Sequence, residues 1–154
     1  MKLFRYLLLS VILGLGSGAC QESQTAADSE PAAESPANAD VVFVKAVQDS
    51  EDSWTFHVTV EHPDTGWEDY ADGWDVLLPD GTVLLPDPEI PFTRLLLHPH
   101  ENEQPFTRSQ SGIRIPQDVN QVRVRAHDLV DGFGGKEVIV YLDQAEGSGF
   151  EVVR

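Results

Sequence analysis

The sequence is poor in cysteine and in positive charge. Its one cysteine in 154 residues is Cys20, which excludes an intrachain disulfide. Lys and Arg number 10 against 26 Asp and Glu, a formal net charge of −16. Neutralising phosphates takes Lys and Arg, so this balance argues against a nucleic-acid partner. It also opposes attraction to anionic lipid and favours solubility. No apolar run reaches the roughly 20 residues that span a bilayer as a helix. There is no G-x-S-x-G elbow and no Gly-rich phosphate loop, and after residue 40 no window has a helical period. These absences point to a binding or interaction protein rather than an enzyme.

The first 20 residues do have a pattern. Lys2 and Arg5 precede an apolar stretch from Tyr6 to Leu15, then small residues and Cys20. That layout is a signal peptide over residues 1–19. Ser17, Gly18, Ala19 and Cys20 resemble the lipobox of bacterial lipoproteins, departing at Ser17, where that family usually has leucine. The resemblance implies acylation of Cys20, and Gln21 after it resembles the outer-membrane sorting pattern. The partner so implied is a membrane, reached through a lipid anchor. Each buried methylene contributes about 0.8 kcal/mol, and stable attachment takes more than one chain. The expected address is the bacterial cell envelope, lipid-anchored at the outer membrane, with a soluble secreted or periplasmic form as the alternative. Cleavage before Cys20 would leave 8 basic against 26 acidic residues, −18.

Residues 21–40, "QESQTAADSEPAAESPANAD", carry no aromatic or branched aliphatic side chain. Such a segment buries too little apolar surface to offset its ordering entropy and reads as a disordered acidic tether. As a flexible coil it reaches about 25 Å. A single domain is expected over residues 41–154.

Within that domain the pattern has period two. In "SWTFHVTVEH", Trp54, Phe56, Val58 and Val60 share one face. "VVFVKAV", "WDVLL", "TVLL", "FTRLLLH", "SGIRIP", "QVRVRAHD" and "KEVIVYL" read as further strands, with Pro79-Asp80-Gly81 and "DGFGGK" as turns. The expectation is an all-β fold, an antiparallel β-sandwich of seven or eight strands, immunoglobulin-like or fibronectin-like, with Trp74 buried on the third. A small β-barrel is the alternative.

Strict alternation of strand direction places His98, His100, His127 and Asp128 at one rim, and His62 with the acidic loop "HPDTGWEDYADGWD" at the other. In an extended H-P-H both imidazoles project to one side, about 7 Å apart. His98, His100 and His127, with Glu103, Glu101 or Asp128, are thus candidate ligands for Zn or Cu, although no cofactor is required by the sequence. The bland reading is that Pro99 ends a strand and that Gln104 and Arg108 organise the loop "HPHENEQPFTRS". Asp64, Glu68, Asp69, Asp72 and Asp75 offer oxygens to Ca²⁺ without EF-hand spacing, a weaker signal. Trp67 and Tyr70 are candidates for stacking on a sugar or for plugging the core, with Asp69 and Asp72 beside them. Ser109 or Ser111 with His127 and Asp128 could be drawn as a triad. Adjacent His and Asp on one strand face opposite sides, which disfavours it. The partner is otherwise an unspecified protein or small ligand.

The segments "HPH…EQPFTR" and "RAHD…GGK" resemble a set of bacterial secreted or lipid-anchored proteins with no assigned activity. The resemblance implies an envelope location and no catalytic residues.

Overall fold

The structure, a computed structural model, describes residues 38–154. Cys20, the signal peptide and nearly all of the acidic tether lie outside the described residues. Ten strands occur, and no helix is present among the described residues. They are β1 (Asp40–Gln48), β2 (Ser53–Glu61), β3 (Ala71–Leu77), β4 (Arg94–Leu95) and β5 (Phe106–Arg114). The remainder are β6 (Gln121–Asp128), β7 (Gly132–Phe133), β8 (Val138–Tyr141), β9 (Glu146–Gly147) and β10 (Phe150–Val153). One sheet has the order β5-β2-β1-β10-β9; the other has β4-β3-β6-β7, with β8 also paired to β6. Every strand pair is antiparallel except β1 with β10. The two sheets face each other across one core and do not close into a barrel: the fold is a β-sandwich. The first, second and fifth strands stand in one sheet, and the third, fourth, sixth and eighth in the other.

The core follows the alternation in the sequence. Trp54, Phe56, Val58 and Val60 of β2 are buried, as are Val122, Val124 and Ala126 of β6 and Trp74 and Val76 of β3. Ala39, near the first of the described residues, is already in the core. The C-terminal segment, not among the expected strands, forms one: β10 lies parallel to β1 and buries Phe150 and Val152.

Two expected strands proved to be one interrupted edge. Thr82–Leu84 returns beside β3, with Val83 bridged to Leu77 and the Leu84 amide donating to Val76 at 2.9 Å. The chain then leaves through Pro86, Pro88 and Pro91 and rejoins the same edge as β4. Proline supplies no ladder donor, so this run cannot continue a strand. The segment from Thr82 to Leu95 therefore makes one pass where two were counted, and the strand parity shifts. The loop "HPHENEQPFTRS" differs as well: Phe106 to Ser109 belong to β5 rather than to a loop.

Candidate functional site

The shifted parity overturns the expected separation of the histidines. The end of β2, the start of β3, the end of β6 and the start of β5 meet at one rim, since Val60 pairs with Phe106 and Ala71 with Asp128. His62 and the acidic loop thus share a rim with His100, His127 and Asp128, rather than occupying the opposite one. The inward alternation of β2 continues one step past its end and buries His62, which is 1% exposed. The inward alternation of β6 ends on Asp128, also 1% exposed. One strand from each sheet thus delivers a polar side chain to the end of the core.

A tight turn brings in a third group. The Asp64 amide donates to the His62 carbonyl at 2.8 Å, which folds the Asp64 carboxylate back onto its neighbour. His62 Nδ1 lies 2.6 Å from Asp64 Oδ1, and Nε2 lies 3.1 Å from Asp128 Oδ2 and 3.8 Å from Asp69 Oδ1. Asp69 is set by a second turn, in which the Thr65 amide donates to its carbonyl at 3.0 Å. Asp64 also accepts the amides of Ala71 and His100. Asp128 Oδ1 accepts the amides of Val130 and Asp131 at 2.8 and 3.2 Å, leaving Oδ2 to face His62. Burial pushes the Asp128 pKa up, but those two amides and His62 outweigh it and hold it below the ordinary carboxylate value.

The expected metal ligands take different places. His98 and His100 lie with ring centroids 4.5 Å apart, and His100 stacks on Phe106 at 3.8 Å. Glu103 is held by Arg108 at 2.9 Å. His127 projects from the other face of β6, where Asp72 lies 2.6 Å from its Nδ1 and Phe92 and Phe133 pack on its ring. The ligand-spaced group among the described residues is instead His62, Asp69 and Asp128. Gln104 and Arg108 do contact the loop. Gln104 Oε1 accepts the His62 amide at 3.0 Å, and Arg108 donates to the Thr107 carbonyl and to Glu103.

The acidic loop is similarly divided. Asp64 is buried on His62, Asp72 pairs with His127, and Asp75 pairs with Arg125 at 3.0 Å. Trp67 is 67% exposed and meets Tyr70 edge-on at 6.1 Å, so it does not plug the core. Ser109 stands opposite His57 in the first sheet, away from His127 in the second. The carboxylate on His127 is Asp72, so the drawn triad is not assembled.

No protein-family model matches the chain, and no solved structure matches it. Over 85 residues the sequence is 40% identical to a protein of Halomicrobium mukohataei that carries the name "Putative lipoprotein". The matched region is 55% of this chain and 38% of that protein, so the chain spans well under half of its relative's length.

Proposed function

We propose that this chain is a lipid-anchored protein of the cell envelope, with the histidine–aspartate rim of its β-sandwich as a binding face. The anchor reading is supported by the lipoprotein name of the relative and by the small residues that precede Cys20. Acylation at Cys20 and attachment at the outer membrane are its specific form. The observation that carries the binding reading is the enclosure of His62 between two buried carboxylates, Asp64 and Asp128, at a rim that also exposes Trp67. Core positions so placed are ordinarily apolar, and polar groups converging at a rim are what a protein or small-ligand partner would contact.

The test is fractionation of the full chain in an envelope-bearing host, with mass analysis of its N-terminus. The expected result is a membrane-associated protein whose acylated N-terminal residue is Cys20, and a Cys20→Ala chain that is released. A wild-type chain that is soluble and starts elsewhere overturns the anchor.

A further inference from the structure

We propose that His62, Asp69 and Asp128 form a site for a divalent first-row transition ion, with Zn²⁺ as the probe. This rests on the rim being the binding face and names what one part of it binds.

Spacing is the first support. Two ligands about 2.0–2.2 Å from a tetrahedral zinc stand roughly 3.3 Å apart. Around His62 Nε2 the two carboxylate oxygens lie at 3.1 and 3.8 Å, on either side of that value. All three candidate ligand atoms fall within 4.8 Å of one another.

Orientation is the second. Metal-bound histidines generally donate their other ring N–H to a carboxylate, which fixes the tautomer and aims the free lone pair. Asp64 Oδ1, 2.6 Å from His62 Nδ1, fills that role. Asp64 is itself held by the amides of Ala71 and His100 and does not face the ion. Asp128 spends Oδ1 on two backbone amides and keeps Oδ2 for the site.

Charge is the third. Asp64, Asp69 and Asp128 gather around His62, with His100 also 3.9 Å from Asp64, and among the described residues no Lys or Arg pairs with any of the three. Three carboxylates outnumber two imidazoles, so even two imidazoliums would leave this group negative. Buried charge persists in proteins where it is paired or coordinates a cation.

An independent observation comes from the neighbouring strand junction. His100 is 4% exposed, and neither of its ring nitrogens has a hydrogen-bond partner among the described residues. Its Nδ1 is aimed at Asp64 Oδ2 from 3.9 Å, too far for a hydrogen bond. Buried polar atoms are nearly always satisfied, so an unpartnered imidazole against this carboxylate shell marks a cluster with capacity for one more group. Asp69 supplies the way in, since its side chain is 40% exposed while His62 and Asp128 are closed off.

The competing arrangement is an imidazolium that bridges Asp64 and Asp128 and needs no ion. The two differ at Nε2, which carries a lone pair in one and a proton in the other. The experiment uses the full chain, stripped with chelator and dialysed, then titrated with ZnCl₂ in a calorimeter and during thermal unfolding. The expected result is one ion per chain at micromolar affinity and a melting temperature raised by several degrees. Asp69→Asn, which keeps the shape and removes the anionic ligand, should weaken zinc binding at least tenfold. Nitrogen NMR of the histidines should show the His62 Nε2 signal move on adding zinc while Nδ1 stays protonated. Absence of saturable binding overturns the site. So does binding that survives Asp69→Asn but is lost in His98→Ala or His127→Ala. Membrane fractionation reports on Cys20 alone, so a chain that stays anchored but ignores zinc overturns only the metal site.

Discussion

Thr93 stitches the interrupted edge to β3: its hydroxyl oxygen accepts the Val76 amide at 2.8 Å. The same hydroxyl donates to the Leu84 carbonyl at 2.8 Å, and the Thr93 side chain is buried. A single side chain thus stands in for the ladder bonds that the proline-rich excursion gives up. Thr93→Val keeps the shape and removes both bonds, so it should destabilise the domain by about 1–3 kcal/mol, while Thr93→Ser should retain most of the stability. Urea unfolding of both variants decides it, and equal midpoints for valine and wild type would refute the stitching role.

The enclosed His62 yields a larger effect. Removing one member of a buried charge group leaves the others desolvated and unpaired, at a cost of about 3–5 kcal/mol. His62→Ala leaves the buried Asp64 and Asp128 facing a cavity and should approach that range, measured by urea denaturation without metal. His57→Ala is the comparison, since His57 lies mid-strand on the outward face of β2 and should change little.

Gly135 is a steric test of how the "DGFGGK" segment docks. A Cβ there would stand 2.1 Å from the Ala39 carbonyl oxygen, which is backbone and cannot rotate away. The contact is reinforced by the Val41 amide donating to the Lys136 carbonyl at 2.8 Å. Gly135→Ala should therefore lower the melting temperature by several degrees. Gly81→Ala, where a Cβ meets nothing within 4 Å, would be strained only by its positive φ. An unchanged melting temperature for Gly135→Ala would show that the loop is not pinned.

His100 makes stability depend on pH in a defined direction. Burial above all, and then the charges of Arg108 and His98, hold its pKa below the usual histidine value, while Asp64 and Glu103 pull the other way. The unfolded chain, with a histidine pKa of about 6.5, then binds the proton more readily than the fold does. Its contribution is complete above about pH 6.5 and declines as pH falls through the lower folded value. His100→Phe preserves the stack on Phe106 and removes the titration. The stability gap between wild type and this variant should be flat from pH 7 to 8 and should shift against the wild type below pH 6.5. A shift in favour of the wild type on acidification would reverse the sign of the argument.

Period two was legible along the chain, and it was sufficient for the architecture. Alternation in "SWTFHVTV" and "QVRVRAH" marks one buried face per strand, and two such faces of an all-β chain must cover each other. The same signal extends to the site. Carried one step further, the face of Trp54, Phe56, Val58 and Val60 reaches His62, and the face of Val122, Val124 and Ala126 reaches Asp128. Both residues were therefore destined for the end of the core from local pattern alone.

That they meet was not a local property. Strand parity depends on whether Thr82–Leu84 and Arg94–Leu95 are two passes or one, and that is fixed by which backbone donors find partners on β3. Register behaves the same way: Ala71 opposite Asp128, and Val60 opposite Phe106, are pairings across many residues of chain. The four-residue strand "FEVV" carried too little periodicity to be read, and only its parallel pairing with β1 made it part of the core. The sequence by itself determined which side chains face inward, because alternation is a property of the extended backbone. Tertiary structure decided which inward side chains share a site, because hydrogen-bond pairing between distant segments sets direction and register.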